Sequence, residues 1–468
     1  MKDINSYKIT EFDYREEIYR LKKENEKIEE QERIINEYKQ QLNTILSSKS
    51  WKITASLRFL LSSLKKIKQN QYGFIRLLQD EKDESANYEE LNCYNSTYQE
   101  DEDYSKLRTD IKTLAFYLPQ YHEFKENNEW WGKGFMEWTN TKKAKPRFEG
   151  HYQPRIPHKD FGYYTLDKIE TIQKQVELAK RHGIYGFCFY YYWFSGKRLM
   201  EKPLDLFLEN KEIDFPFCLC WANENWTRTW DGQETDILIK QDYTKKDQKN
   251  FIKDAKKYIE DKRYIKVDDK PLIMIYNPYG IPDFENLVKE WRKTAREIGI
   301  GEICIWCKVD LANEEHKYTE YVDGEFDFPP HGVGHEAAKI YGLPSPKIFN
   351  YEKIVDDIEH LYREHFPLKP FYYTCTMGWD NSARKKENYT IYYNYSLKSY
   401  YKWLRVLIEE TRRRHPEDKR FLLINAWNEW AEGTYLEPDE KYGYANINTL
   451  SKAIFDLPME KNEKRKKI

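Results

Sequence analysis

"FLLINAWNEWAEGTYLEP", residues 421–438, runs from an apolar strand-like stretch straight into two glutamates three residues apart, Glu429 and Glu432, set beside Trp427, Asn428 and Trp430. A surface charge pair needs no such setting. A carboxylate pair that works on a glycosidic bond does, because one group must protonate the departing oxygen while the other assists attack at or next to the anomeric carbon. Neighbouring tryptophans exclude water and raise the pKa of one carboxyl, so that it keeps its proton near neutral pH. Gly433 follows directly, and a sharp turn there brings both side chains toward one pocket.

Seven further apolar runs precede this one, at 113–119, 185–194, 215–223, 271–278, 302–310, 323–330 and 371–381. They are continuous rather than alternating, the pattern of strands covered on both faces in a parallel sheet. Helix-like segments separate several of them, at 165–182, 247–262, 283–298, 351–365 and 397–414. Eight such repeats give a (β/α)8 TIM-type barrel, with a doubly wound open sheet as the structural alternative. The sixth run, short and containing Asp and Glu, is the weakest. The run ends favour the barrel, since most close on polar or aromatic residues and barrel sites are built at that rim.

Those ends supply the candidate ligand-binding residues. Tyr117, Gln120 and His122 end the first run, with Glu137 and Trp138 in the segment after it. Tyr191 and Trp193 end the second, and Asn223, Glu224, Asn225, Trp226, Arg228 and Trp230 follow the third. Tyr276 and Asp380 end the fourth and seventh, and Trp427, Asn428 and Trp430 flank the glutamates. Indole and phenol rings stack on the apolar faces of sugars, while amides and carboxylates hold hydroxyls. The composition agrees, with 39 Tyr and 14 Trp among 468 residues, thickest between 115 and 230.

A net charge of −2 carries no global field for nucleic acid. Cys188, Cys218, Cys220, Cys304, Cys307 and Cys375 lie in apolar runs and read as reduced, buried thiols; Cys304 and Cys307 would face opposite sides of a strand. His331 and His335 lack a third ligand at convincing spacing, so no metal and no cofactor is expected. Glu429 and Glu437 share the E-x7-E spacing of some retaining transferases, a spacing common by chance in so acidic a chain.

Before the barrel, which spans 111–457, residues 1–68 read as a helical extension. Tyr14, Leu21, Ile28, Ile35 and Leu42 repeat every seven residues, so 12–47 offers a coiled-coil or hairpin surface for self-association. Residues 49–68 set Ile53, Leu57, Leu60, Leu61 and Leu64 against lysines and Arg58. That pattern fits a helix on an anionic membrane surface or on another protein. Residues 69–110 are polar and acidic, a linker, and 458–468 a charged tail. The N-terminus lacks the apolar core of a signal peptide, and no run reaches the roughly 20 apolar residues of a membrane span. The expected location is cytoplasmic, and on the membrane reading of 49–68 peripheral at its inner face.

"NEWAEGTYLEP" resembles the signature of glycoside hydrolase family 99, the endo-α-mannosidase and mannanase family. Residues 111–457 as a whole resemble the family-99-like, or WbsX-like, domain of bacterial surface-polysaccharide clusters, through "AFYLPQYH", "EWTN", "CFYYYWF" and "CWANENWTRTWDG" as well. The resemblance implies a (β/α)8 barrel and a retaining mechanism. In it Glu429 deprotonates the sugar's own 2-hydroxyl, giving a 1,2-anhydro sugar, and Glu432 protonates the departing oxygen. Ala431 stands where the hydrolases carry histidine, which leaves hydrolysis and transfer both open. The substrate it implies is an oligosaccharide or lipid-linked glycan, with a nucleotide-sugar transferase and a non-catalytic glycan-binding scaffold as alternatives.

Overall fold

The computed structural model describes residues 97–459, apart from 149, 229–232, 312–316, 332–346, 366 and 386, and gives the backbone alone at 227–228 and 233–236. The coiled coil expected over 12–47, the membrane-facing helix over 49–68, most of the linker, and the tail from 460 onward lie outside the described residues.

The eight apolar runs fold into one sheet. Its strands are β1 (Lys112–Tyr117), β2 (Ile184–Phe194), β3 (Phe217–Trp221), β4 (Lys270–Ile275) and β5 (Cys304–Lys308). After them come β6 (Gly324–Phe326), β7 (Phe371–Tyr372), β8 (Thr374–Thr376) and β9 (Phe421–Asn425). Every adjacent pair is parallel, in the order β7-β6-β5-β4-β3-β2-β1-β9-β8. The two ends of that order are the two halves of the seventh run, broken at Tyr373, so the sheet closes on itself into an eight-position barrel. Asp327 stitches the break. Its Oδ1 accepts from the Thr374 amide at 2.7 Å and its carbonyl from the Thr374 hydroxyl at 2.5 Å, while Tyr362 donates to Oδ2. The acids that made the sixth run look weak therefore face outward, where Glu325 also accepts from Thr319.

Aromatic rings fill the barrel. Trp306 stacks on Tyr372 with centroids 3.6 Å apart. Phe116 packs against Tyr190, Phe326 and Phe328 at 5.7, 6.1 and 4.9 Å. Around it lie α1 (Lys125–Trp131), α2 (Glu137–Lys143), α3 (Ile169–Arg181), α4 (Lys202–Glu209) and α5 (Lys245–Ile259). Then come α6 (Phe284–Glu297), α7 (Tyr351–Glu364), α8 (Leu397–Arg414) and α9 (Ala445–Ile454). Thr244, Asp283, Asn350 and Ser396 cap the first turns of α5 to α8 with side-chain oxygens, which is why these helices begin where the apolar periodicity does. In α6 the buried Phe284, Leu287, Val288, Trp291 and Ala295 trace one helical stripe.

The described end of the expected linker is not loose. From residue 97 the chain pairs with distant bases of the barrel: Asp101 with Arg181 at 2.8 Å, Glu102 with Lys452 at 2.9 Å, and Asp110 with Arg412 at 2.7 Å. Tyr104 is buried, with its ring stacked on Phe455. Composition alone reads these acids as solvated, because their partners lie tens to hundreds of residues away. The six barrel cysteines are buried and unbridged. Among the described residues no three acids, histidines or cysteines cluster as metal ligands, and no helix is long and apolar enough to cross a membrane.

Gly324 sits where the barrel leaves no room for a side chain. A Cβ there would lie 2.8 Å from Trp306 Cδ1 and 2.9 Å from Tyr372, two rings already locked face to face. Gly324→Ala should cost about 1–3 kcal/mol by overpacking, read as a lowered midpoint in equilibrium denaturation.

Candidate active site

Beyond β9 the chain is clamped to the end of β1. Asn428 accepts from the Leu118 amide at 2.8 Å and donates back to the Leu118 carbonyl at 3.0 Å, and the Trp427 amide donates to Phe116 O at 2.8 Å. Residues 428–429 then pair antiparallel with 434–435 around a single turn, Trp430–Glu432, closed by Gly433 in the left-handed region at φ 66°. A Cβ at 433 would strike Arg155 Nη2 at 2.9 Å and Asp380 Cβ at 3.0 Å, so the turn requires glycine twice over. The turn aims both carboxylates into a cavity of about 260 Å3 at the C-terminal rim.

One guanidinium holds the pair. Arg384 Nη2 lies 2.8 Å from Glu429 Oε2, Nη1 lies 2.5 Å from Glu432 Oε1, and Nη2 also reaches Glu137 Oε1 at 2.7 Å. Three carboxyls share one fixed positive charge. Burial, the largest influence, pushes Glu429 well above the ordinary range; Arg384 pulls it back, while Glu432 and Glu137 push it further up. Glu432 is raised by the same burial and by Glu137, again against Arg384. Such a cluster retains a proton that isolated glutamates would have lost. Glu429 is 5% exposed and the Glu432 side chain 21%, so Glu432 stands nearer the mouth.

Of the other sequence candidates, Gln120, Glu224, Asn225 and Trp226 line the cavity, and Glu137 joins through Arg384. Tyr276 stands over the barrel axis, edge-on to Phe328, where Glu224, Glu432 and Glu429 all raise its hydroxyl after burial. Asn223 ties the ends of β3 and β4, donating to Asn277 O and accepting from Asn277 N, both at 2.7 Å. His122 is buried against Pro119 O at 2.9 Å, and burial pushes it down to about 4, so it is neutral and shapes the turn after β1.

Several expected sugar ligands face elsewhere. Tyr191 and Trp193 point to the helical layer, bonded to Asp254 and to Asp247, the latter at 2.9 Å. Tyr117 likewise donates to Gln175 at 2.6 Å. Strand alternation is the reason: it turns Tyr192 into the cavity and its odd-numbered neighbours away. Trp138, Trp427 and Trp430 are buried behind the turn. Trp138 donates to Tyr164 O at 2.8 Å, and the other two indoles donate to Glu437 at 3.1 and 2.7 Å. Glu437 also receives Gln175 and Tyr164, so it lies in this internal network rather than beside Glu429 in the cavity.

Asp380 is a support. His151 Nε2 at 2.7 Å, Gln153 Nε2 at 2.8 Å and the Ser382 amide at 3.0 Å converge on its carboxylate, and its own amide donates to Glu432 O at 2.7 Å. Against the upward push of burial, His151 and Arg155 hold it well below the usual carboxylate range. Only the backbone of Arg228 is described, and Trp230 and His335 lie outside the described residues. Arg384, Lys385, Asn381, Tyr192 and Trp131 also line the cavity, with Leu118 and Leu238, and none of them is among the expected ligands. In "WDNSARKK" nothing local sets Arg384 apart from Lys385 and Lys386 beside it.

Residues 113–450 match the family model described as glycosyltransferase WbsX. The chain belongs to the WbsX family. Two relatives, each described as uncharacterized protein WxcX from a strain of Xanthomonas campestris pv. campestris, are 37% and 38% identical over 350 residues, 74% of this chain and 50% of the relative. The chain thus spans about half the length of the curated relatives it matches. A solved glycoside hydrolase-like protein superposes with a TM-score of 0.52 at 14% identity, over 77% of this chain and 97% of its own. A GH99 endo-alpha-mannosidase from Bacteroides thetaiotaomicron gives a TM-score of 0.45 at 15% identity, over 74% and 96%. The WbsX match takes in every cavity residue named above and all nine strands except the first residue of β1, Lys112.

Burial lifts Glu437 to about 7, against the four donors that oppose it. Its folded pKa thus exceeds the unfolded 4.5, so the stability it contributes is complete below pH 4.5 and is lost as pH rises through about 7. Glu437→Gln should flatten that part of the stability curve, measured by denaturant titration at successive pH values.

Proposed function

We propose that this WbsX-family chain is a carbohydrate-active enzyme that makes or breaks α-glycosidic, mannoside-like bonds of a bacterial surface polysaccharide. Its substrate in this reading is an oligosaccharide or lipid-linked glycan, met at the inner face of the membrane. The observation that carries the proposal is the pair Glu429 and Glu432 brought by Arg384 to one cavity at the rim, with burial raising both carboxyls. A scaffold that only bound glycans would gain nothing from gathering acids at such electrostatic cost.

In the proposed reaction Glu429 takes the proton of the sugar's 2-hydroxyl, and that oxygen attacks the anomeric carbon. Glu432 gives its proton to the departing oxygen as the glycosidic bond breaks, which leaves a 1,2-anhydro sugar and no ester to the protein. Standing nearer the mouth, Glu432 then takes a proton from the incoming water or sugar hydroxyl, which opens the anhydro ring, and Glu429 returns its proton to O2. Arg384 orients both carboxylates and steadies whichever is ionised. Trp226, Trp131 and Tyr192 offer ring faces to the pyranose, and Asn225, Asn381 and Gln120 offer amides to its hydroxyls. The buried Gln120 amide nitrogen has no partner among the described residues.

Glu429→Gln and Glu432→Gln should each lower turnover by about 10^2–10^4-fold. The assay is mass spectrometry of α-mannoside oligosaccharides and of lipid-linked glycan, with and without nucleotide sugars. Shortened or rearranged glycans lost in both variants support glycosidase or transglycosidase chemistry. Extension that needs a nucleotide sugar and the pair supports transfer on the same barrel, and extension that survives both substitutions overturns the assignment. Arg384 lowers both glutamates, so Arg384→Met should raise them further and move the acid limb of the pH–rate profile to higher pH.

A further inference from the structure

Lys308 ends β5. Along that strand Cys304, Trp306 and Lys308 share one face, and Trp306 stacks inside the barrel, so Lys308 points inward at the C-terminal rim. Its Nζ lies 3.9 Å over the Tyr276 ring. Tyr276 in turn feels Glu224, Glu432 and Glu429, which places the lysine across one aromatic ring from the proposed reaction centre.

The half-buried ammonium has no hydrogen bond or ion pair among the described residues. Glu224 and Asp310 act on it from beyond ion-pair distance, and burial, outweighing both, lowers its pKa. A cation over a phenol ring recovers only part of what taking an ammonium out of water costs. Lys308 stands beside the active-site cavity rather than in its lining, across the Tyr276 ring, and its ammonium has no side-chain acceptor among the described residues.

We propose that Lys308 is an oxyanion subsite of the same active site, which takes the carboxylate or phosphate carried by an acidic glycan substrate. The inference rests on the reading of the cavity as a glycan site and narrows its substrate class from neutral to anionic sugars. A uronate carboxylate and a sugar phosphate present the same two or three acceptor oxygens to an ammonium. Arg384 is engaged by three carboxyls, whereas Lys308 Nζ has no carboxylate within ion-pair distance among the described residues.

The test measures binding by calorimetry and ligand-observed NMR on the full chain, with mannose, mannose 1-phosphate, methyl glucuronide and inorganic phosphate as probes. It uses the unaltered protein, Lys308→Met and Lys308→Arg, each also in a Glu429→Gln background. The expected result is that one anionic sugar binds roughly tenfold or more tighter than its neutral counterpart. The preference should vanish in Lys308→Met and return in Lys308→Arg; phosphate and glucuronide arms tell which oxyanion is taken. Equal affinity for neutral and anionic sugars, or an anion preference unchanged in a folded Lys308→Met protein, overturns the subsite. An anion preference that persists in Glu429→Gln while no glycan chemistry is found in the unaltered protein overturns the catalytic reading and leaves the subsite standing. Should Lys308→Met fail to fold, Lys308→Gln, polar and uncharged, replaces it.

Discussion

Closure of the barrel through a broken strand is the constraint on which the rest depends. The seventh run pairs backward with β6 through two residues and forward with β9 through three, pivoting at Tyr373. A continuous strand reaches a neighbour along each edge; here each half of the run reaches one. The break satisfies both, at the cost of backbone groups that Asp327 must reach, and so a buried carboxylate sits where sequence rules would place an apolar residue. With the ring closed, all the strand ends face one mouth, and the segment leaving β8 carries Asp380, Asn381, Arg384 and Lys385 over it.

The mouth itself is an electrostatic compromise. Burying Glu137, Glu429 and Glu432 together is unfavourable, and a single guanidinium offsets only part of it. That residual imbalance is what keeps a proton available. Support comes from a second layer of opposite character, in which Asp380 is fully satisfied by His151, Gln153 and a backbone amide and stays ionised. One acid group is thus over-provided with donors and the Glu429–Glu432 pair under-provided, which drives their pKa values in opposite directions.

Much of this was legible in the chain. Eight apolar runs, their polar ends, the glutamate pair and the glycine behind it all follow from period, spacing and turn chemistry. Facing was less legible. In "CFYYYWF" every residue is apolar or aromatic and both faces are buried, so nothing in composition separates inward Tyr192 from outward Tyr191 and Trp193. Trp427 and Trp430 were read as pocket walls because they flank the glutamates; the turn at 430–432 sends them backward onto Glu437. Arg384 escaped notice because its partners lie 45, 48 and 247 residues away, a pairing that no local pattern encodes. The same distance effect hid the anchoring of residues 97–110.

Gly433 has a consequence for how such a site can diversify. Its backbone is wedged against Arg155 and Asp380, and Asp380 holds the carbonyl of Glu432. The segments after β8 and β9 are therefore interlocked like key and ward, and a change in either is tolerated only with a matching change in the other. Grafting either segment alone from a relative would misalign the glutamates before it altered any preference for sugar. New specificities would have to be drawn from the opposite side of the mouth, where Glu224, Asn225 and Trp226 are free of that interlock.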